Sequence, residues 1–286
     1  MILAALTDYN LGYTLEEIAT RLKKKTNRRV SPSTVTTWLE QYQQHCSYRR
    51  LRAAGLKRCP ANQTIRSIKL YHRQIYGYAY HRPKLDLLRS GTLDDKRTGD
   101  YHFAGVANFL ESIPTTCPHD LFRRDDEPKA RASQARPSWA DASRIIVSSK
   151  KNSATEAAAL IIPAVGNNKL RHETLQKFML ANDSVTVAIK ISIWLTEEDI
   201  AALEQQHRIE LTPHSSAAER AITGHIDFLQ VRNGAVHTLD YKPDAPTNKP
   251  IAQLAIYPLA LTRRIPGLKF GSRRVAWLAS AFALGR

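Results

Sequence analysis

Residues 224–242 read GHIDFLQVRNGAVHTLDYK, and QLAIY occupies 253–257. Asn233-Gly234 stands between two strand-like runs, and Asn-Gly is the strongest short-range signal for a two-residue hairpin turn. With those two residues in the turn, Val231 faces Val236 and Leu229 faces Thr238. The same register predicts Asp227 opposite Asp240 and His225 opposite Lys242, with Cβ atoms about 4.5–5.5 Å apart. Strand alternation puts Asp240 and Lys242 on one face, so a single patch holds two carboxylates and an amine. Two opposed carboxylates repel, and a hard divalent cation, Mg2+ or Mn2+, is the partner such a pair calls for.

The Gly-x-x-Asp strand, the Asp240-Tyr241-Lys242 triplet and the Gln253/Tyr257 pair resemble the PD-(D/E)XK nuclease superfamily, and within it the RecB-like branch. That resemblance implies a restriction-endonuclease-like αβββαβ core and metal-dependent hydrolysis of DNA phosphodiesters. It implies that Asp227 and Asp240 are metal ligands, with the Tyr241 carbonyl as a third. Lys242 would position the attacking water or stabilise charge on the phosphate, while Gln253 and Tyr257 would steady Lys242 or the DNA. The superfamily's first helix supplies a further ligand, His in the RecB branch and Glu in others. His172 and Glu173 are adjacent here. Because His172, Leu175 and Met179 fall on one helical face, His172 is the expected ligand and Glu173 the alternative.

The flanking segments read in the same order. A helix is expected near residues 169–180. Residues 185–195 alternate strictly (Val185, Val187, Ile189, Ile191, Ile193), which predicts a strand. A capped helix opens at Thr196, a further helix comes after the hairpin near 251–262, and a last strand is expected at 273–278. The chain is therefore expected to be α/β, with the nuclease-like domain over residues 150–286. Pro258 falls inside the 251–262 helix, where it removes a hydrogen bond and bends the axis.

Working outward, charge is the next informative feature. Of a formal net charge of +16, +11 falls in residues 1–100. A basic N-terminal third points to a polyanionic partner, with nucleic acid ahead of a membrane surface. Residues 1–45 read as three short helices. Thr14 and Glu17 form a capping-box pattern before Leu15, Ile18, Ala19 and Leu22. Ser31 and Pro32 open the third helix, with Val35, Trp38, Leu39 and Tyr42 on its apolar face. The phrases TLEEIATRL and SPSTVTTWL resemble the helix-turn-helix of transposases and resolvases, although residues 23–30 make a long connection. The resemblance implies a DNA-binding domain over 1–60. Ser33, Thr34, Thr36 and Thr37 would enter the major groove, and Lys23, Lys24, Lys25, Arg28 and Arg29 would hold phosphates.

Residues 61–122 form a basic, aromatic connecting region. Tyr76, Tyr78 and Tyr80 alternate there with small residues, which suits either base stacking or packing on a helix. Residues 123–149 read as a linker. The three cysteines (Cys46, Cys59, Cys117) form no C-x-x-C pair, so neither a disulfide framework nor a zinc site is indicated. They are also too few for the four-cysteine iron–sulfur cluster of some RecB-like nucleases. No secretory signal opens the chain, and the apolar run at 157–165 is broken by Pro163 and too short to span a bilayer. A cytoplasmic, nucleoid-associated protein of a mobile element or virus is expected. Its partner is DNA, joined by a second copy of the chain or by a recombination or repair protein. The alternatives are a catalytically degenerate DNA-binding regulator, an accessory subunit of a transposase or integrase, and an RNA-processing nuclease.

Overall fold

The hairpin forms in the expected register. Strands Ala221–Arg232 and Ala235–Lys242 pair antiparallel, with Val231 opposite Val236, Leu229 opposite Thr238 and Phe228 opposite Leu239. Gly234 sits at φ 66°, the left-handed conformation that a primed turn requires and a Cβ opposes.

The structure is a computed structural model that describes residues 1–43, 59–90, 103–123, 129–135, 153–211, 220–232, 234–242, 251–268 and 276–279. It is a mixed α/β protein. The helices are α1 (Ile2–Leu11), α2 (Leu15–Thr26), α3 (Pro32–Gln41), α4 (Arg82–Arg89), α5 (Ala104–Thr116), α6 (His119–Arg123), α7 (Ser153–Ile161), α8 (Asn168–Asn182), α9 (Glu197–His207) and α10 (Ile251–Arg264). The strands are β1 (Ile65–Tyr71), β2 (Ile75–His81), β3 (Lys129–Arg131), β4 (Thr186–Leu195), β5 (Ala221–Arg232), β6 (Ala235–Lys242) and β7 (Ala276–Ala279). All seven join one sheet in the order β1-β2-β4-β5-β6-β7, with β3 beside β5. The first five of that path are antiparallel; β3 runs parallel to β5, and β7 parallel to β6.

Three segments depart from the sequence reading. The region 61–122 is not merely a connection, because its β1–β2 hairpin extends the sheet through Ala79 opposite Ile189 and Tyr80 opposite Ala188. Tyr78 is fully buried and Tyr80 nearly so. The Tyr78 hydroxyl donates to Leu110 O on α5, so these two rings pack in the core and are closed to bases. The region 123–149 contributes β3. The α2–α3 connection is short, since α2 continues to Thr26 and ends at Asn27 with φ 55°. Lysines are good helix formers, and their charge suits a helix C-terminus. The caps at Thr14, Ser31 and Thr196 form as read, and α10 continues past Pro258.

Helices cover both faces. One core joins the sheet to α4, α5, α9 and α10, and the other joins it to α1, α7 and α8. A smaller core of Ala5, Ile18, Leu22 and Val35 holds α1–α3 together. Helix α1 links it to the sheet layer through Leu6 and a 2.6 Å hydrogen bond from Asn10 to Asn182. At the end of α8, buried Lys84 Nζ donates to Leu180 O, Asp183 O and Thr186 O at 2.6, 2.7 and 2.9 Å.

Two irregularities shape the middle of the sheet. Strand β4 does not keep the alternation its sequence suggests: Ile189 enters the α8-side core, whereas Ile191 and Ile193 enter the opposite one. Lys190 lies between them with φ 54°, a conformation costing a non-glycine residue about 1–3 kcal/mol. Across the ladder, Phe228 and Ile226 switch cores in the same way, on either side of Asp227. The second irregularity is that β3 and β6 share one edge of β5. β3 pairs with Ala221–Thr223 and β6 with Phe228–Arg232. Among the described residues no strand pairs with 224–227 on that edge.

Candidate active site

A cleft of about 510 Å³ opens where the β5 edge is bare, lined by residues of β5, β6, α8, α10 and the β1–β2 turn. Asp227 and Asp240, 9% and 2% exposed, both line it. The ladder runs as far as Phe228 opposite Leu239. One step beyond, Asp227 Oδ2 accepts the Tyr241 N–H at 2.9 Å.

Helix α8 supplies the next two groups. Leu175 and Met179 are fully buried and set its phase. That phase brings His172 Nε2 to 3.0 Å from Asp227 Oδ2. One turn later, Gln176 donates to Asp227 Oδ1 at 3.1 Å and places the same amide nitrogen 3.0 Å from His172 Nε2. Glu173 lies on the outer side and pairs with Lys177 at 2.6 Å. Burial works to raise the Asp227 carboxyl, but His172, the Tyr241 N–H and Asp240 together outweigh it and hold the group below the ordinary carboxylate range.

Helix α10 braces the other side. Gln253 Nε2 lies 3.5 Å from Asp240 Oδ1 and also bonds the Tyr257 hydroxyl, which donates to His225 O at 2.8 Å. Tyr257 is fully buried, and burial, together with the charges of Asp240 and Asp227, raises its phenol well above the usual value. These two residues therefore brace Asp240 and β5 in the described structure. Lys242 ends β6 opposite Ala279, and its side chain lies outside the described residues. Arg73 and Arg131 are exposed at the cleft.

Asp227, Asp240 and His172 are donors of the kinds a hard divalent ion takes, but their ligand atoms do not all lie within 4.8 Å of one another. Two carboxylates and one imidazole form a donor set appropriate to Mg2+ or Mn2+. Two acids buried in one cleft are an arrangement that a cation relieves. Gln176 Oε1 is also buried without a hydrogen-bond partner among the described residues.

Histidines line the far wall. His72 Nδ1 lies 2.8 Å from His225 Nε2, and His72 Nε2 lies 3.0 Å from His119 Nδ1. The Tyr76 ring stacks on His225 with centroids 3.5 Å apart, and Phe122 stacks on His72 at 4.1 Å. Burial, then the charges of His119 and Arg123, pulls His72 down to about 4. Burial, then His72 and Lys190, holds His225 well below its ordinary value. Cys117 joins this wall, although the cysteine spacing predicts no zinc site. Among the described residues, His72, Cys117 and His119 are the one His/Cys/Asp/Glu group whose ligand atoms all lie within 4.8 Å of one another. Cys117-Pro118-His119 was the available signal, and His72 is distant in sequence. Gln176 was also missed; its signal is the i, i+4 spacing from His172.

Lys23, Lys24, Lys25, Arg28 and Arg29 are exposed on α2 and the α2–α3 connection, apart from the cleft lining. Ser33, Thr34 and Thr37 are exposed and Thr36 is half-buried on α3. Thr36 and Thr37 each donate to a carbonyl of their own helix at 3.2 Å, which leaves them acceptors toward any ligand. No family model, curated protein or solved structure matches the chain. No helix among the described residues is long and apolar enough to cross a membrane.

Proposed function

We propose that the cleft is the active site of a metal-dependent DNA nuclease of the PD-(D/E)XK type. The observation that carries this reading is two buried carboxyls, Asp227 and Asp240, in one cleft, with His172 and Gln176 locked onto Asp227. The order α8, β4, α9, β5, β6, α10, β7 supports a restriction-endonuclease-like core with one inserted helix. Asp227, Asp240 and His172 would hold Mg2+ or Mn2+. Bound there, the ion polarises a phosphoryl oxygen and lowers the pKa of a water. The chain's own residues do the positioning: Gln176 and the Tyr241 N–H fix Asp227, and Gln253 fixes Asp240. Arg73 and Arg131 draw the phosphate backbone to the cleft mouth. Lys242 completes the triplet and is assigned to the attacking water. Helices α1–α3 carry the basic surface that engages duplex DNA.

Incubation of the purified protein with circular and linear DNA tests the reading. Cleavage is expected with Mg2+ or Mn2+ and not with EDTA, and Asp240→Ala is expected to abolish it while DNA binding persists. Cleavage that survives Asp240→Ala would overturn the assignment.

A further inference from the structure

On the far wall the ring nitrogens of His72 and His119 and the sulfur of Cys117 converge, all within 4.8 Å of one another. His119 Nε2 lies 3.1 Å from Pro114 O, a carbonyl that can only accept, so this nitrogen carries the proton and His119 Nδ1 keeps a lone pair. His72 Nδ1 is occupied by His225 Nε2 at 2.8 Å. If His72 donates there, its Nε2 also carries a lone pair. The two lone pairs then meet at 3.0 Å, within reach of the Cys117 sulfur. In that tautomer a cation takes the place of the shared proton.

We propose that His72, Cys117 and His119 bind a zinc ion that ties the β1–β2 turn to the α5–α6 corner. This site stands independently of the nuclease reading. Zinc–nitrogen bonds of about 2.0–2.1 Å in a tetrahedron put two nitrogens roughly 3.3 Å apart, close to the separation found. Two imidazoles and a thiolate are a soft donor set that favours Zn2+ over Mg2+. The outer groups are those a zinc ligand needs. The far nitrogen of each imidazole has a hydrogen-bond partner, Pro114 O for His119 and His225 for His72, which fixes ring orientation and tautomer. The buried Ser192 hydroxyl on β4 lies beside the sulfur, where it works to lower the thiol against the effect of burial. Phe122, stacked on His72, adds an apolar cover. Binding converts the Cys117 thiol to thiolate and releases its proton to solvent. Three protein ligands leave a fourth position for water or a further donor. The ion's task is structural: it joins segments 45 residues apart in the chain and steadies the wall that carries His72 and Tyr76.

Cobalt substitution of the full-length protein is the test. One equivalent of Co2+ should give a thiolate-to-cobalt charge-transfer band and the intense d–d bands of four-coordination, and one equivalent of Zn2+ should bleach both. Cys117→Ser should lose the charge-transfer band with its far-ultraviolet circular dichroism unchanged, whereas Cys46→Ser and Cys59→Ser should keep it. His119→Gln, which retains the thiol, should lower Co2+ affinity at least tenfold. Asp240→Ala should leave the spectrum as it is. Absence of the band in the unaltered protein means three neutral imidazoles sharing protons and overturns the proposal. So does a band that survives Cys117→Ser, or one that vanishes with Asp240→Ala.

Discussion

Two polar groups flank β5, and they differ in chemical character. At Asp227 and Asp240 the group is acidic: two buried carboxyls share one cleft, and His172, Gln176 and the Tyr241 N–H converge on Asp227. At His72, Cys117 and His119 the group is basic: His72 Nε2 and His119 Nδ1 lie 3.0 Å apart, where one proton or one metal ion can join them, with the Cys117 sulfur in reach. The first group is hard and oxygen-rich, the second soft and built of nitrogen and sulfur. Lys84 supplies a third case that needs no ion, since its three N–H donors meet three carbonyls. The chemistry of a buried polar cluster and how far it satisfies itself therefore together identify its partner.

The strongest way to break this contrast is Asp240→Ala. Loss of one carboxylate should slow Mn2+-supported cleavage about a thousandfold, the rate equivalent of ~4 kcal/mol, while zinc content stays the same. A joint loss of both would merge the two sites into one. Next in size is the basic surface, which belongs to neither group. Replacing Lys23, Lys24, Lys25, Arg28 and Arg29 with Ala should flatten the dependence of log K on log salt by about 0.9 for each phosphate no longer neutralised. An unchanged slope in a filter-binding titration would reduce that surface to a solvated face. Gln176→Leu sharpens the contrast further. It removes the amide that fixes Asp227, so Mn2+ affinity by calorimetry should fall about 10–100-fold, with the cobalt spectrum untouched.

The last effect concerns Lys84. Burial pulls its amine from the ordinary 10.5 to about 7, against the raising effect of Asp183. Between those values the unfolded chain holds the proton more tightly than the folded one. Stability should therefore rise with pH across that window, by at most about 1.4 kcal/mol per pH unit from this group. Denaturant melts near both ends of the window should show that rise in the native chain and a flat response in Lys84→Met. An equal slope in the variant would place the effect elsewhere.

Much of the acidic group was legible, because its signals are local. Asn233-Gly234 set the register that brings Asp227 toward Asp240, and the spacing of His172, Leu175 and Met179 set the phase of α8. The Thr14, Ser31 and Thr196 caps were equally local. What escaped notice depends on distant pairing. Tyr80 meets Ala188 more than a hundred residues away, so β1 and β2 looked like a connection. β3 has only three residues and no periodicity to detect. His72, Cys117 and His119 come from separate elements, and no spacing rule links them. The perfect alternation of β4 misled in its own way, since a register shift between Thr186 and Ala188 and a left-handed residue at Lys190 change the faces without changing the sequence pattern.

The bare stretch of β5 has one further consequence. A sheet edge leaves backbone groups that must find partners, and those partners are usually another strand or water. Among the described residues side chains take the place of a strand there: the Tyr257 phenol donates to His225 O, and the Asp227 carboxylate accepts from Tyr241 N. The opening is thus propped by individual side chains rather than by a ladder. A ladder resists point substitution because its bonds belong to the backbone, whereas a prop can be shortened or removed one residue at a time. The width of this cleft therefore depends on two side chains that also serve elsewhere, Tyr257 in the core and Asp227 in the acidic group.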